Sequence, residues 1–266
     1  MNPGPQSAIV RERMRVAALY DIHGNLPALR AVLADAEREG TGAFVIGGDV
    51  AAGPLPRETI DQLMALGGRA RFVRGNADRE IVDAYDRGRT DVDAVEDPAE
   101  RNAVFAAAQI SRQQRDFLAG FAPTVGLDVD GLGPVLFCHG SPRSDTEIIT
   151  RVTPESRLSD ILAGVEEQVV VGGHIHQQFD RSLDRWRFVN AGSVGVPYEG
   201  KPGGYWALLG PDVKLRRTEY DLGHAIDELR AGGFPDLDEM LKESLLEPVD
   251  PDEVSEFFER QALAGH

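Results

Sequence analysis

Cysteine, lysine and long apolar runs are all scarce in this sequence. Cys138 is the single cysteine in 266 residues, which excludes an intramolecular disulfide framework and favours a reducing, cytoplasmic setting. Lysine occurs only at Lys201, Lys214 and Lys242, and 28 Lys+Arg face 44 Asp+Glu for a formal net charge of -16. That balance argues against an extended nucleic-acid surface, which needs broad phosphate neutralisation. No apolar stretch approaches the roughly 20 residues that span a bilayer, and Met1 to Arg15 has no apolar core of a signal peptide, so no membrane partner is expected. Repeats and low-complexity tracts are missing too, which excludes a solenoid. What remains, 42% hydrophobic and 27% charged residues, suits one generous globular domain or a domain with a small addition.

The charge is unevenly placed. Residues 221–266 carry 13 acidic and 3 basic side chains, a net of -10, leaving -6 for residues 1–220. Helical spacing of Ile226 and Leu229, then of Leu237, Leu241 and Leu245, makes 221–266 an acidic helical C-terminal extension beyond a main domain at 14–220. Its apolar residues pack either on the core or on a second subunit of a homo-oligomer. On this reading its acidity lies away from every candidate ligand.

The first 80 residues alternate short apolar strands with amphipathic helices. Strands at 14–20, 43–46 and 71–73 end respectively at Asp21, at Asp49 after two glycines, and at Asn76 after one. Intervals of 28 and 27 residues separate these three positions, close to the strand-helix-strand unit of about 30 residues. Residues 83–120 read as a helical segment that caps the site. A hairpin follows, with strands at 125–129 and 134–138, then a helix at 154–163 and a strand at 168–171. Runs at 187–189, 205–209 and 213–220 read as a second sheet. The expected fold class is α/β, with two packed mixed β-sheets flanked by helices in an αββα sandwich.

Polar residues of ligand type gather at the strand ends: Asp21 and His23 in DIHGN, Asp49 in GGD, Asn76 in GNAD, His139 in CHG, and His174 and His176 in GGHIH. Open α/β sheets place their sites at the carboxyl ends of strands. Seven nitrogen and oxygen donors exceed the need of one tetrahedral ion and suit two ions sharing a carboxylate. Imidazole, carboxylate and amide without thiolate fit divalent Mn, Fe, Co, Ni or Zn. Cys138 neighbours His139 on an apolar strand, so its side chain points to the opposite face and packs in the core.

These blocks, in this order and closed by NAGSVG at Asn190 to Gly195, resemble the calcineurin-like metallophosphoesterases, in particular their compact bacterial and archaeal phosphodiesterase-like branch, over roughly residues 14–215. The resemblance implies two divalent metal ions, one held by Asp21, His23, Asp49 and His176 and the other by Asp49, Asn76, His139 and His174. Asp49 would bridge them, and Asp49, His139 and His174 would be catalytic. It implies hydrolysis of phosphate esters by in-line attack of a metal-bridging hydroxide. Many family members carry a histidine after the motif asparagine, where this chain has Ala77. Since losing a positioned acid typically costs about 100-fold to 10,000-fold for a poor leaving group, phosphodiesters or activated small-molecule and nucleotide esters are the expected substrates. Alternatives are a nucleotide anhydride hydrolase, a protein phosphatase, and a non-catalytic metal-binding scaffold.

Around this set, Asn25 reads as a helix N-cap with a possible substrate role, and Arg143 as either a phosphate contact or a solvated loop arginine. Arg74 and Arg79 are expected to pair with Asp78, Glu80 or Asp83. Tyr85 and Phe105 are expected in helix packing.

Overall fold

Alternation along the first strand sets the layers. The structure, a computed structural model, describes residues 14–264; the stretch read for a signal-peptide core lies outside the described residues except for its last two. Strand β1 (Val16–Leu19) is buried on both faces. Val16, Ala18 and Tyr20 face one apolar cluster, while Ala17 and Leu19 face another, as the period of two requires. Helix α1 (Leu26–Arg38) packs Leu26, Leu29, Leu33 and Ala36 onto that second face. Strand β2 (Ala43–Ile46), helix α2 (Pro56–Met64), strand β3 (Ala70–Phe72) and helix α3 (Asn76–Asp86) complete the repeated unit. Helices α4 (Pro98–Gln109) and α5 (Arg112–Ala119) follow. Within 83–120 lie the end of α3, which begins at Asn76, and the helices α4 and α5, which pack against α2 and α3.

Strands β4 (Thr124–Val129) and β5 (Gly133–Cys138) form the hairpin, then come helix α6 (Glu155–Leu162) and strands β6 (Val169–Gly172), β7 (Gln178–Leu183), β8 (Trp186–Ala191), β9 (Gly204–Leu209) and β10 (Val213–Thr218). The two five-stranded sheets run β10-β9-β1-β2-β3 and β4-β5-β6-β8-β7. In the first, β1, β2 and β3 are parallel and β9 and β10 antiparallel. In the second, β5, β6 and β8 are parallel, with antiparallel β4 and β7 at the edges. Val16, Ala18 and Val45 meet Phe137, Val171 and Val189 between the sheets, and the Tyr20 hydroxyl donates across to the Val171 carbonyl at 3.0 Å. The αββα sandwich holds.

Two expectations need correction. Strands β9 and β10 belong to the first sheet, because β9 pairs antiparallel with β1 and buries all six of its residues. Strand β7 was not anticipated: its exposed Asp180 bonds Arg187 on β8, and only Phe179 and Leu183 supply the apolar alternation of an edge strand.

Helices α7 (Leu222–Ala231) and α8 (Leu237–Leu241) and a π-helical turn (Lys242–Leu246) place Leu229, Phe234, Leu237, Leu241 and Leu245 in the cluster outside the first sheet. The extension therefore packs on the core of its own chain. Helix α9 (Pro251–Ala264) crosses to the other layer, with Phe258 and Ala262 against the cluster outside the second sheet. Its anchor is Glu259, buried and accepting from the hydroxyls of Thr150 and Thr153, each at 2.7 Å, and from Arg157 at 2.8 Å. Among the described residues no helix is long and apolar enough to cross a membrane.

Glu259→Ala removes three bonds and strands the Arg157 charge. It is expected to lower stability by about 2–3 kcal/mol, read as a lower urea midpoint at unchanged slope.

Candidate metal centre

Parallel strands deliver their carboxyl ends to one edge, and the loops leaving them carry the donors. Asp21 and His23 follow β1, Asp49 follows β2, Asn76 opens α3 after β3, His139 follows β5, and His174 and His176 follow β6. Asp21, His23 and His176 bring one donor atom each within 4.8 Å of one another, and so do Asp49, His139 and His174. His139 Nε2 lies 3.8 Å from Asp21 Oδ1 and 3.4 Å from Asp49 Oδ2, linking the two groups.

The backbone is bent to achieve this. Of six non-glycine residues with positive φ among those described, five are Asp21 (52°), His23 (47°), Asp49 (52°), His174 (72°) and His176 (58°). Left-handed backbone costs an L-residue of order 1–3 kcal/mol and persists only where surrounding contacts over-determine it. Those contacts are visible. His23 N donates to Asp49 O at 2.9 Å, and Asp21 N to Gly48 O at 3.1 Å. The NAGSVG loop braces Asp21 from the far side: Ser193 Oγ and Gly195 N both donate to its carbonyl, at 2.7 and 3.0 Å. A Cβ at Gly195 would stand 1.9 Å from the Ile22 carbonyl oxygen, and one at Gly75 would stand 2.1 Å from Asp49 Oδ1. Both approaches require glycine.

Hydrogen bonds on the outer side fix which atoms face inward. Nδ1 of His23, His139 and His176 lies 3.1, 2.8 and 2.8 Å from the carbonyls of Ala52, Gly47 and Val196. A carbonyl only accepts, so each Nδ1 carries the proton, as is usual for metal-ligating histidines. Asp21 Oδ2 accepts from His174 N at 2.9 Å, and Asp49 Oδ1 from Ala77 N at 2.8 Å. What points inward is left unpaired: Asp21 Oδ1, Asn76 Oδ1 and His139 Nε2 are buried without a hydrogen-bond partner.

Burial pushes the pKa values of His23 and His176 down, so both rings are neutral. Their Nε2 atoms stand 3.1 Å apart, lone pair toward lone pair, an arrangement that a cation relieves. Burial lowers His174 to about 4, helped by the His139 charge. Burial also acts to lower His139, but the Asp49 carboxylate beside it prevails and raises it to about 10. Burial drives Asp21 up, opposed by His139 and aided by Asp49, to about 8. Asp49 resists the upward push of burial because His139, His23 and His174 surround it, and it stays below the usual carboxylate range. Unpaired inward oxygens and nitrogens, with no thiolate among them, fit divalent cations of the Mn-to-Zn series.

Other sequence-singled residues lie around this centre. Asn25 is the N-cap of α1, its Oδ1 accepting from Ala28 N at 3.2 Å, while its Nδ2 donates to Gly195 O at 2.9 Å. Arg143 is bound to Glu147 by two bonds, at 2.8 and 2.6 Å. Arg74 and Arg79 pair with Asp145, at 3.6 and 3.2 Å, rather than as expected. Asp78 is withheld from them: fully buried, it accepts from the backbone N–H of Asp49, Val50 and Gly75 at 2.9, 3.0 and 2.9 Å. Sequence reasoning missed that role, though an acid at the third position of a helix is the signal for it. Ala77 is buried in the apolar cluster, where Tyr85 and Phe105 also pack. Tyr198 was missed as well; its ring stacks on His176 with centroids 5.1 Å apart.

The expectation that the acidic extension lies away from the ligands is overturned. A cavity of about 280 Å³ has His23 and His176 in its wall together with Asp236, Glu239 and Glu243. The apolar face of α8 sits on the core, which turns the opposite, acidic face toward the metal edge.

Comparison with known proteins agrees with this architecture. A family model described as a calcineurin-like phosphoesterase superfamily domain matches residues 14–210. An uncharacterized protein of Methanocaldococcus jannaschii is 25% identical over 240 residues, covering 83% of this chain and 94% of its own. The crystal structure of a metallophosphoesterase from Sphaerobacter thermophilus is 25% identical with a TM-score of 0.69, covering 87% of this chain and 99% of that one. A hypothetical protein from Pyrococcus horikoshii shares the fold, with a TM-score of 0.75 at 24% identity over 87% and 98% of the two chains.

Asp78→Ala leaves three buried N–H groups unpaired, each worth about 1–3 kcal/mol. The variant is expected to lose at least about 3 kcal/mol in chemical denaturation and to retain less Mn²⁺ by elemental analysis, whereas Asp78→Asn, which keeps an acceptor oxygen, is milder in both.

Proposed function

Because the chain belongs to the calcineurin-like phosphoesterase superfamily, we propose that it is a dinuclear metal-dependent phosphoesterase acting on phosphodiesters or activated esters of small molecules. The observation that carries this reading is the set of inward atoms without partners, Asp21 Oδ1, Asn76 Oδ1 and His139 Nε2, at an edge shared by two buried carboxylates. Asp21, His23, Asp49 and His176 would hold one ion, and Asp49, Asn76, His139 and His174 the other. Two divalent ions there supply positive charge to the phosphoryl oxygens and acidify water.

The chain's own residues supply the positioning. Carbonyls of Gly47, Ala52 and Val196 keep protons on Nδ1 and so turn Nε2 inward. The Ala77 N–H occupies one oxygen of Asp49 and leaves the other facing inward. The Ala77 methyl donates no proton, so a leaving group must depart on its own acidity, which favours activated esters over alkyl monoesters. Buried Cys138, with no second cysteine in the chain, suits the cytoplasm.

Three measurements test this. Under added Mn²⁺, bis(p-nitrophenyl) phosphate is expected to be cleaved faster than p-nitrophenyl phosphate; a clear monoester preference overturns the diester reading. Asp49→Asn is expected to reduce bound metal and to lower kcat/KM by about a thousandfold, the loss of several kcal/mol of transition-state stabilisation. Chelation of the wild type is expected to abolish turnover, with Mn²⁺ restoring it.

A further inference from the structure

The cavity beside the candidate metal centre has a wall whose chemistry the hydrolytic reaction does not explain. His23 and His176 are among its lining residues, so a phosphate held at the candidate metal centre would place its substituent against this cavity. Tyr198, stacked on His176 and tilted against Phe258 with centroids 6.3 Å apart, lines the cavity beside them, and Phe234 and Met240 extend the apolar lining. Phe234 is fixed by an edge-to-face contact with Phe105 at 5.2 Å between centroids.

Set into this wall are three carboxylates. Arg101 neutralises Asp236 through two bonds of 2.9 Å. Glu239 and Glu243 form no such bonded pair among the described residues, although the Arg101 charge also acts on Glu239; no arginine or lysine is among the cavity's described lining residues. The two acids stand four apart, a like-charge spacing that weakens a helix, and Glu243 lies in the π-helical turn Lys242–Leu246, a distortion often found at functional sites. Asn102, on the α4 side of the cavity, keeps its Oδ1 buried without a partner.

From this arrangement, and resting on the phosphoesterase reading above, we infer that the cavity receives a short ammonium-bearing alcohol substituent of the phosphate ester. Aromatic faces beside carboxylates are the chemistry that holds quaternary and primary ammonium groups. A polyphosphate chain would bring negative charge against Glu239 and Glu243 instead. At about 280 Å³ the space lies at the small end of ligand pockets, which suits a substituent of a few carbons better than a nucleoside.

The test uses isosteres that differ in one charge. The full-length, Mn²⁺-loaded protein is titrated calorimetrically with phosphorylcholine and with 3,3-dimethylbutyl phosphate, in which carbon replaces the quaternary nitrogen. The p-nitrophenyl diesters of the same two alcohols are assayed in parallel. The cationic ligand is expected to bind about tenfold more tightly at low salt, from cation–π and charge attraction together, and the ratio should shrink as salt is added. In Glu239→Gln/Glu243→Gln the ratio should fall toward one, while Asp238→Asn/Glu247→Gln, which removes two nearby acids outside the cavity wall, should keep it. Equal binding of the isosteres, an unchanged ratio in the first variant, or an equal loss in the second overturns the inference. If neither diester is hydrolysed while the binding preference stands, the phosphoesterase reading fails and the cavity assignment survives. Hydrolysis of both at one rate with equal binding overturns the cavity assignment and leaves the phosphoesterase reading standing.

Discussion

Two carboxylates and neighbouring imidazoles face one another at a largely buried sheet edge, and the surrounding architecture keeps them there. Left alone, such groups would separate or take up protons. The chain prevents the first with backbone: five of these residues occupy left-handed conformations held by bonds between the β1 and β2 loops and by the NAGSVG loop. Burial limits the second at His23, His174 and His176, whose pKa values it lowers, while outward hydrogen bonds commit each bonded Nδ1 as a donor and turn Nε2 inward.

The two sheets contribute unequally to this edge. The first brings Asp21, His23, Asp49 and Asn76, the second His139, His174 and His176. Correct spacing of the donors therefore depends on how the sheets pack, and so on the valine-rich layer between them and the Tyr20 bond to Val171. Asp78 performs the same service within the first sheet by tying the loop after β2 to the start of α3.

Much of this was legible in the sequence, and the boundary has physical causes. Donors next to glycines at the ends of apolar runs are local signals, so Asp21, Asp49 and His139 stood out without knowledge of pairing. Helix α1 showed itself by the spacing of Leu26, Leu29 and Leu33, because one face must be buried. The partner of β9 did not, since a strand buried on both faces reads alike in either sheet, and β7 was hidden because an edge strand tolerates Asp180 and Arg181. Glu239 and Glu243 looked like solvated tail residues; only the docking of Leu237, Leu241 and Leu245 on the core shows where their side of the helix is turned.

That docking separates two kinds of constraint along the chain. The metal edge draws its donors from residues 21 to 176, where a shift of one backbone turn would disturb several donors at once. Much of the neighbouring wall comes from residues 234 to 243, which form no strand of either sheet. Its exposed acids, Glu239 and Glu243, lie outside every strand. Over evolutionary time, the proposed substituent-binding wall is thus free to drift in one helical stretch while the donor edge remains fixed.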